Sequence, residues 1–263
     1  MRSKLKIIPL DLLPDYELQV GDGVQSVFEL LQDSELSIES FSFYTSVSAV
    51  FSSKIEGAEM EMDSYIKHKR FGGHFRADYT RKIDDLYEAY MFAHKTHLSE
   101  EALESAHSVI TRHILQKRHQ GKIRTGNMYV LTTDGRIEYV AANPHVVLRE
   151  MKKLYLDIEV LLEEKLSFKE VLYFASMLHL VFVKIHPFED GNGRTARLLE
   201  KWFIAEKLGE QAWFIQSEKY YYTHQAHYFA AIRRLGLEYE GLDYREGLSF
   251  LLMLSLSIYG QTD

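Results

Sequence analysis

The side chains that could do chemistry are concentrated in one short stretch, from Ile185 to Arg197. His186 has an ordinary pKa near roughly 6.5, which suits a general base at neutral pH. Asp190 offers a carboxylate, the kind of ligand that a hard cation prefers beside phosphates. Arg194 and Arg197 add fixed positive charge, with forked donors that fit phosphate oxygens. The stretch therefore predicts a site that binds an anion and moves a proton.

Two glycines in this stretch lie where a helix is predicted to begin. Gly191 and Gly193 flank Asn192, and the apolar residues between Leu198 and Phe203 have helical spacing. The first N–H groups of a helix have no partner within it, so a glycine-bordered N-terminus can hold a phosphate. Taken singly, these features are an ordinary turn, a solvated helix face and a structural histidine. Their joint occurrence favours the anion site.

The same stretch resembles a family signature. His-Pro-Phe-x-Asp-Gly-Asn-Gly-Arg-x-x-Arg, from His186 to Arg197, matches the signature of the Fic family at every specified position. The resemblance implies transfer of AMP from ATP to a Tyr, Thr or Ser hydroxyl of a target protein, with ATP and Mg²⁺ as cofactors. It implies that His186 is the catalytic base and that Asp190 is the Mg²⁺ ligand. The implied nucleotide-binding residues are Gly191, Asn192 and Gly193 around the α-phosphate, and Arg194 and Arg197 on the β- and γ-phosphates.

A second motif ends a helix that the apolar spacing predicts from Glu35 to Glu56, with Gly57 as its C-cap. Ser52 and Glu56 are one turn apart and share a face. In isolation such a pair is a solvated helix end. Beside the signature, Ser-x-x-x-Glu-Gly resembles the inhibitory motif of the Fic class whose inhibitory helix precedes the catalytic core. The resemblance implies that Glu56 reaches Arg197 and that a hydrogen bond from Ser52 holds the helix end.

A β-hairpin is predicted within residues 121–142. Two β-prone runs, at 128–132 and 137–140, flank Asp134-Gly135, a strong tight-turn signal. Such a hairpin could be a plain surface feature. In the Fic family a hairpin at this place, the flap, covers the active site and pairs with the backbone of the target protein. The resemblance therefore implies that the segment from Met128 to Val140 binds the target.

The remaining segments predict helices. Residues 1–35 show no sustained period and are expected to be an arm on the main body, and Gly72-Gly73 marks a loop after a short helix near 62–69. Further helices are expected near 79–91, 103–114, 146–165, 168–184, 220–235 and 248–259. Five histidines have no convincing metal spacing and receive no role: His94, His97, His107, His113 and His119. His179, on a helix that is apolar nearly all round, is expected to be a satisfied core residue.

One segment departs from the family pattern. Family members commonly carry an Asn-Arg pair four and three residues before a Tyr, with the Asn near the nucleotide, whereas this chain has His224 and Gln225 before Tyr228. The ribose and adenine contacts, and ATP as the sole nucleotide, are therefore open. Transfer of another nucleotide or phospho-moiety, removal of AMP from a modified protein, and a catalytically silent binding module are the alternatives.

Composition sets wider bounds. The 263 residues carry a net charge of −7 and are 46% hydrophobic, which allows a sizeable core and argues against nucleic acid as a partner. No cysteine is present, so disulfides and thiolate catalysis are excluded. The N-terminus lacks a secretory pattern, and the most apolar run, 171–183, is shorter than the ~20 residues of a membrane span. A cytoplasmic protein without a membrane partner is expected.

Together these features predict an all-α fold, and the resemblance implies a Fic-type helical bundle with one small β-hairpin over the active site. We expect an N-terminal arm and inhibitory helix in residues 1–57, and a Fic domain with flanking helices in residues 58–263, joined as one compact unit. The expected function is that of an autoinhibited protein adenylyltransferase. A homodimer is one option for its assembly.

Overall fold

The computed structural model describes residues 4–39, 41–71, 77–131 and 137–261. The predicted Gly72-Gly73 loop and Asp134-Gly135 turn lie outside these residues. Within them, helices dominate and the strands form one two-stranded sheet. The all-α fold with a single small hairpin is thereby confirmed.

The described residues form twelve α-helices and two strands, which we number in chain order. The helices are α1 (Leu13–Gln19), α2 (Gly23–Glu29), α3 (Phe43–Ile55), α4 (Met62–Phe71), α5 (Ala77–Ala93), α6 (Glu100–Ile110), α7 (Pro144–Glu163), α8 (Phe168–Ile185), α9 (Asn192–Leu208), α10 (Ser217–Thr223), α11 (Gln225–Arg234) and α12 (Leu248–Tyr259). The strands β1 (Tyr129–Leu131) and β2 (Ile137–Val140) are antiparallel. Among the described residues, no helix combines the length and apolar character needed to cross a membrane.

Helix α8 forms the centre of the core. Ser167 and Glu170 start it with a capping box, and all its residues from Val171 to Ile185 are buried. A helix that is apolar all round must be enclosed by other elements, and α1, α7, α9 and α12 pack against this one. The end of α8, just before His186, therefore has a fixed place in the fold.

The N-terminal arm contains two short helices, α1 and α2, that the sequence does not predict. Seven residues are too few to show a helical period, and packing onto the main body stabilises them. Tyr16 of α1 packs edge-on against Tyr173 of α8, with ring centroids 5.4 Å apart. Asp157 accepts hydrogen bonds from the backbone N–H groups of residues 6–8 at 2.6 to 2.8 Å. A single hydrophobic core includes residues on both sides of position 57. The division of the chain at that position, into an N-terminal arm with inhibitory helix and a Fic domain, stays a prediction.

Helix α3 is shorter than predicted. It begins at Phe43, because Ser42 caps it by accepting a hydrogen bond from the Thr45 N–H at 3.2 Å. The preceding residues instead form an isolated bridge between Ile38 and Phe41. The apolar spacing that starts at residue 36 therefore does not mark helix throughout.

Two other helix boundaries also differ from the prediction. The segment 220–235 is two helices, α10 and α11, which are separated at His224, where φ is −112° and ψ is 32°. The His224 ring stacks on Tyr220, with centroids 4.1 Å apart. Helix α6 ends at Ile110 instead of continuing to residue 114. The long helices α5, α7, α8 and α12 lie within a few residues of their predicted positions.

Candidate active site

His186 is the C-cap of α8 and has a left-handed backbone, with φ 53° and ψ 61°. This conformation costs a non-glycine residue roughly 1–2 kcal/mol, and no other non-glycine residue in the described ranges has a positive φ. Arg124 holds the turn, because its Nε donates to the His186 carbonyl at 2.7 Å and its Nη2 to the Ala142 carbonyl at 2.5 Å. Its backbone N–H also donates to the Pro187 carbonyl at 2.9 Å. No sequence motif marks Arg124 for this role.

The His186 ring is set up to accept a proton. Its Nδ1 lies 3.1 Å from the Val183 carbonyl, which can only accept, so Nδ1 carries the ring proton. Nε2 then has a free lone pair. Burial lowers the pKa of His186 to about 4, and the hydrogen bond to Val183 only partly offsets this. The ring is therefore neutral at pH 7, with a lower pKa than its residue type suggests.

The two glycines of the signature are required for different reasons. Gly191 has φ 81° and is the N-cap of α9, and a Cβ there would lie 2.8 Å from Cγ2 of Thr111. At Gly193 a Cβ would lie 2.5 Å from Oε1 of Glu56. The first bond within α9 runs from the Thr195 N–H to the Gly191 carbonyl at 2.9 Å, so the amides of residues 192–194 precede the helical ladder. The Glu56 carboxylate thus lies where the sequence predicts an anion.

The Asn192 side chain holds the signature loop closed. It is 2% exposed, accepts from the Phe188 N–H at 2.9 Å and donates to the Phe188 carbonyl at 2.8 Å. Both of these bonds go to backbone, and a direct phosphate contact of Asn192 stays a prediction. Phe188 is fully buried and so anchors this loop in the core.

His107 is a loop-holding residue that the sequence did not reveal. Its ring stacks on Phe188, with centroids 3.6 Å apart. Nδ1 accepts from the Gly121 N–H at 2.9 Å, so Nε2 carries the proton and donates to the Asp190 carbonyl at 2.9 Å. Burial lowers the pKa of His107 to about 4, which keeps it neutral. His107 is 83 residues from Asp190, and no local spacing could have linked them.

Asp190 has the chemistry of a magnesium ligand that acts together with phosphates. Its carboxylate is 49% exposed, and Oδ1 accepts from Arg194 Nη2 at 2.8 Å and from the Gly191 N–H at 2.5 Å. No cluster of three or more acidic or histidine ligands occurs in the described part of the chain. Mg²⁺ commonly takes one or two carboxylates and completes its shell with water and nucleotide oxygens. Asp190 therefore fits an ion that arrives with a nucleotide.

Arg197 connects α9 to α3. Its side chain is 1% exposed, and three of its hydrogen bonds go to α3. Nε donates to Ser52 Oγ at 2.8 Å, while Nη2 donates to the Ser52 carbonyl at 3.1 Å and to Glu56 Oε1 at 2.7 Å. Nη1 donates to the Tyr228 hydroxyl at 3.3 Å. The expected contact between Glu56 and Arg197 is present, and the hydrogen bonds of Ser52 in this contact also come from Arg197.

The end of α3 sets the position of Glu56. Gly57 has φ 89°, and the Ala58 N–H donates to the Ser53 carbonyl at 3.0 Å, as in a Schellman motif. Glu56 is the C-cap, with its side chain 39% exposed. Burial tends to raise the pKa of Glu56, but the charge and the hydrogen bond of Arg197, together with the nearby charge of Arg194, hold the pKa below its ordinary value. The carboxylate is therefore ionised at neutral pH.

A buried ion pair holds the middle of α3. Lys201 of α9 contacts Glu218 of α10 at 2.6 Å, and both side chains are at most 1% exposed. Ser48 of α3 accepts from Lys201 Nζ at 2.6 Å and donates to Glu218 at 3.0 Å. The Tyr90 hydroxyl donates to the same carboxylate at 2.6 Å. The body of α3 is therefore anchored independently of Glu56.

Gln225, one of the two residues that depart from the family pattern, also contacts α3. Its Nε2 donates to the Ile55 carbonyl at 3.0 Å. Ile55 is the last residue of α3 and directly precedes Glu56. Gln225 thus ties the start of α11 to the turn that carries the carboxylate.

Only some of the predicted site residues line a common pocket. Glu56, His186, Gly193 and Arg197 line one open pocket, whose empty space of about 680 Å³ includes the part open to solvent. The flap and α11 contribute Val130, Tyr139, Tyr228, Phe229 and Ile232 to the same lining. The Tyr139 hydroxyl donates to the Lys184 carbonyl at 2.7 Å, which holds the hairpin against the end of α8. Asp190, Asn192 and Arg194 are not among the pocket-lining residues.

Comparisons with known proteins point to one family. Residues 97–204 match the Fic/DOC family. Over 79 residues the chain is 39% identical to the protein adenylyltransferase fic-1 of Caenorhabditis briggsae and 37% identical to that of Caenorhabditis elegans. These matches cover 30% of this chain, and the chain spans only 14% of the length of these curated relatives.

Solved structures share the fold. A Fic family protein from Desulfovibrio desulfuricans G20 has a TM-score of 0.74 at 18% identity, over 98% of this chain and 76% of that one. A Fic domain containing signaling protein from Bacteroides thetaiotaomicron VPI-5482 has a TM-score of 0.68 at 19% identity, over 91% and 92%. A segment of Fic-1 from C. elegans has a TM-score of 0.67 at 18% identity, over 95% and 71%. The segment that matches the Fic/DOC family, residues 97–204, thus contains the complete signature at the start of α9, within a fold that these structures share.

Proposed function

We propose that the protein is an adenylyltransferase that moves AMP from ATP to a Tyr, Thr or Ser hydroxyl of a target protein. The observation that carries this proposal is that His186, Gly193 and Arg197 line one pocket at the start of α9. A proton acceptor, helix amides and a guanidinium are the groups that attack on a nucleotide phosphate requires. The curated relatives are named protein adenylyltransferases, which supports AMP as the transferred group.

His186 acts as the base in the proposed reaction. The target hydroxyl attacks the α-phosphorus, the bond from that phosphorus to the oxygen bridging to the β-phosphate breaks, and pyrophosphate leaves. Nε2 of His186 takes the hydroxyl proton as the new bond forms. A pKa of about 4 keeps this nitrogen unprotonated at neutral pH. Bound phosphates then favour the imidazolium that forms, because opposite charges raise a histidine pKa.

Donors at the start of α9 hold the phosphates in this proposal. The first-turn amides and Arg197 lie at the proposed anion site, and Arg194 Nε is buried without a hydrogen-bond partner among the described residues. Arg194 does not line the pocket, so this donor would reach a phosphate oxygen only after its side chain moves, and the cost of leaving it unpaired favours that contact. Asp190 would hold Mg²⁺, which when bound neutralises charge on the phosphates.

The flap, from Met128 to Val140, is the proposed surface for the target protein. At Val140, β2 pairs with the chain at 237–238, with an N–H···O distance of 2.8 Å to Leu237. Among the described strands, β1 therefore has the free edge. Tyr129 and Leu131 on it are 49% and 57% exposed. An exposed strand edge with apolar side chains readily pairs with the backbone of another protein.

Helix α3 is the proposed inhibitory element. The Glu56 carboxylate pairs with Arg197 and lies over Gly193, so it competes with the phosphates for the same donors. ATP would then bind in an unproductive pose until the end of α3 moves.

A nucleotide other than ATP is the second candidate substrate. His224 occupies the position where the family commonly has an Asn near the nucleotide, and its ring stacks on Tyr220. Gln225, at the position of the family's Arg, bonds to Ile55. The phosphate chemistry would be the same as with ATP, and only the nucleobase of the nucleotide would differ.

The test uses the Glu56→Gly protein with ATP labelled on either the α- or the γ-phosphate. Protein labelled from α-labelled ATP alone is the expected result, since AMP carries the α-phosphate and pyrophosphate carries the γ-phosphate away. Label from the γ-position would instead indicate phosphoryl transfer. Labelled UTP and GTP test the second candidate, and a protein already carrying AMP tests removal.

His186→Ala in the same background is the matched variant. It should lose ~10²- to 10⁴-fold in rate with ATP affinity nearly unchanged, because the base acts on the acceptor hydroxyl. Transfer at the undiminished rate would overturn the role of His186. Binding of ATP without transfer from any nucleotide would instead favour a protein-binding module.

A further inference from the structure

A continuous chain of hydrogen bonds leads away from Arg197 into the core. Arg197 Nη1 donates to the Tyr228 hydroxyl at 3.3 Å, and that hydroxyl lies 3.0 Å from His179 Nε2. His179 Nδ1 lies 2.9 Å from Glu200 Oε2. All four side chains are at most 1% exposed. Nothing in the signature or in the proposed chemistry uses Tyr228, His179 or Glu200.

The chain has a defined direction. A carboxylate oxygen accepts, so Nδ1 of His179 carries the proton and donates to Glu200. Nε2 of His179 then accepts the Tyr228 O–H, which leaves the lone pairs of the Tyr228 oxygen to accept from Arg197. The hydroxyl is thereby prevented from turning, and each bond strengthens the next in a buried network.

This chain differs from the other contacts of Arg197 in where its partners lie. Ser52 and Glu56 are on α3 and its C-cap, and leave Arg197 if that end of the helix moves. Tyr228 is on α11 and is supported from α8 and α9 by His179 and Glu200. It would stay in place when the inhibitory contact is broken.

We propose that Tyr228, oriented by His179 and Glu200, is a positioning residue that keeps the Arg197 guanidinium aimed at the phosphate site after Glu56 has left it. The proposal rests on the proposed function, since it assumes that Arg197 binds nucleotide phosphate. Without this contact the guanidinium would be held from α3 alone, through Ser52, and would sample more orientations whenever that end of the helix moves. Ordering it again would weaken phosphate binding.

Simple core packing is the competing explanation, and Tyr221 is the control for it. The Tyr221 hydroxyl donates to Glu200 at 2.9 Å, and its ring lies beside that of Tyr228, with centroids 5.2 Å apart. Tyr221 is as deeply buried as Tyr228, at 1% exposure. Among the described residues, the Tyr221 hydroxyl bonds to both carboxylate oxygens of Glu200 and not to Arg197. Tyr→Phe at either position removes one buried hydroxyl from the same cluster.

The first measurement is steady-state transfer by the Glu56→Gly protein with Tyr228→Phe or Tyr221→Phe added. Tyr228→Phe should raise the KM for ATP about fivefold, the effect of losing one hydrogen bond of ordinary strength. Its kcat should change less than twofold, because Arg197 does not move the proton. His179→Gln, which retains an acceptor for the Tyr228 hydroxyl, should give a smaller rise than Tyr228→Phe. Tyr221→Phe should leave the KM within twofold, and equal rises in KM for the two Phe variants would overturn the proposal.

The second measurement does not depend on any activity. In ¹⁵N NMR spectra, the Arg197 guanidinium signals of the Glu56→Gly protein should show restricted rotation, which Tyr228→Phe reduces even though the bonds to Ser52 remain, and which Tyr221→Phe leaves unchanged. Unchanged Arg197 signals in the Tyr228→Phe protein would overturn the positioning role, even if ATP proves not to be the substrate. Loss of transfer from all nucleotides with this NMR response intact would overturn the proposed function alone. Thermal unfolding of each variant checks that the compared proteins are folded.

Discussion

Replacing Glu56 by Gly should raise the rate of AMP transfer by about 10- to 30-fold. The substitution removes the carboxylate that lies 2.7 Å from Arg197 Nη2. It leaves the two bonds from Arg197 to Ser52, at 2.8 and 3.1 Å, and the anchor of α3 at Lys201. The end of α3 should therefore stay near α9, while a nucleotide gains access to the guanidinium.

The size of the effect follows from the exposure of the two partners. A hydrogen bond between charged groups contributes about 1.5–3 kcal/mol. Arg197 is 1% exposed, but Glu56 is 39% exposed. Solvent screening of that carboxylate places the contact in the lower half of the range, about 1.5–2 kcal/mol. Since about 1.4 kcal/mol corresponds to a factor of ten in rate, the expected gain is about 10- to 30-fold.

The assay is the initial rate of label transfer from α-labelled ATP to the protein itself and to proteins of a cell lysate. Glu56→Gln keeps the length and an acceptor but loses the charge, and should give an intermediate rate. Glu61→Gln is the control, because Glu61 is 73% exposed and pairs with Lys54 near the same helix end. It removes one negative charge without touching Arg197.

Two results would refute this reasoning. One is a folded Glu56→Gly protein whose rate stays within twofold of the wild-type rate on both kinds of substrate. The other is an equal gain in the Glu61→Gln protein, which would assign the effect to net charge and not to the contact with Arg197.

Three further predictions concern the metal, the α11 contact and the proton acceptor. Asp190→Ala should weaken Mg²⁺-dependent use of ATP, so that a higher Mg²⁺ concentration is needed for the same rate, because one carboxylate of the ion's oxygen shell is lost. Mg²⁺ titration of the rate checks this, and an unchanged curve would contradict it. Gln225→Ala should raise basal transfer about two- to tenfold, since one hydrogen bond that ties the turn before Glu56 to α11 is removed; Gln216→Ala, at the opposite end of α10, would serve as the control, and an equal gain there would contradict the prediction. In an NMR pH titration of the nucleotide-free protein, His186 should protonate near pH 4, with burial as the main cause; its neutral, base-competent form is then present above that pH and lost below it, and a midpoint near 6.5 would contradict the expected burial.

The features that the sequence predicted are those with short-range signals. The glycines at 191 and 193, the β-prone runs at 128–132 and 137–140, and the apolar period of α8 are each encoded within a few turns of chain. The break at His224 was missed because the apolar pattern continues on both sides of it. A change of helix direction there depends on tertiary contacts such as the bond from Gln225 to Ile55.

The supporting residues of the site could not be found in this way. Arg124 holds His186 from 62 positions away, and His107 holds Asp190 from 83 positions away. The sequence around a single Arg or His does not show to which distant carbonyl group its side chain will donate a hydrogen bond. His179 was correctly expected to be a satisfied core residue, but its link through Tyr228 to Arg197 depends on three helices meeting, which no periodicity reports.

The partial exposure of Glu56 has a consequence for the resting protein. A contact of about 1.5–2 kcal/mol leaves roughly 3–8% of molecules with Arg197 unoccupied by Glu56 at any moment. Because α3 is anchored at Ser48 and capped by Gly57, only its last turn has to fray to reach that state. The resting protein would therefore be a slow enzyme and not a silent one, with a background rate set by the fraying of one helical turn.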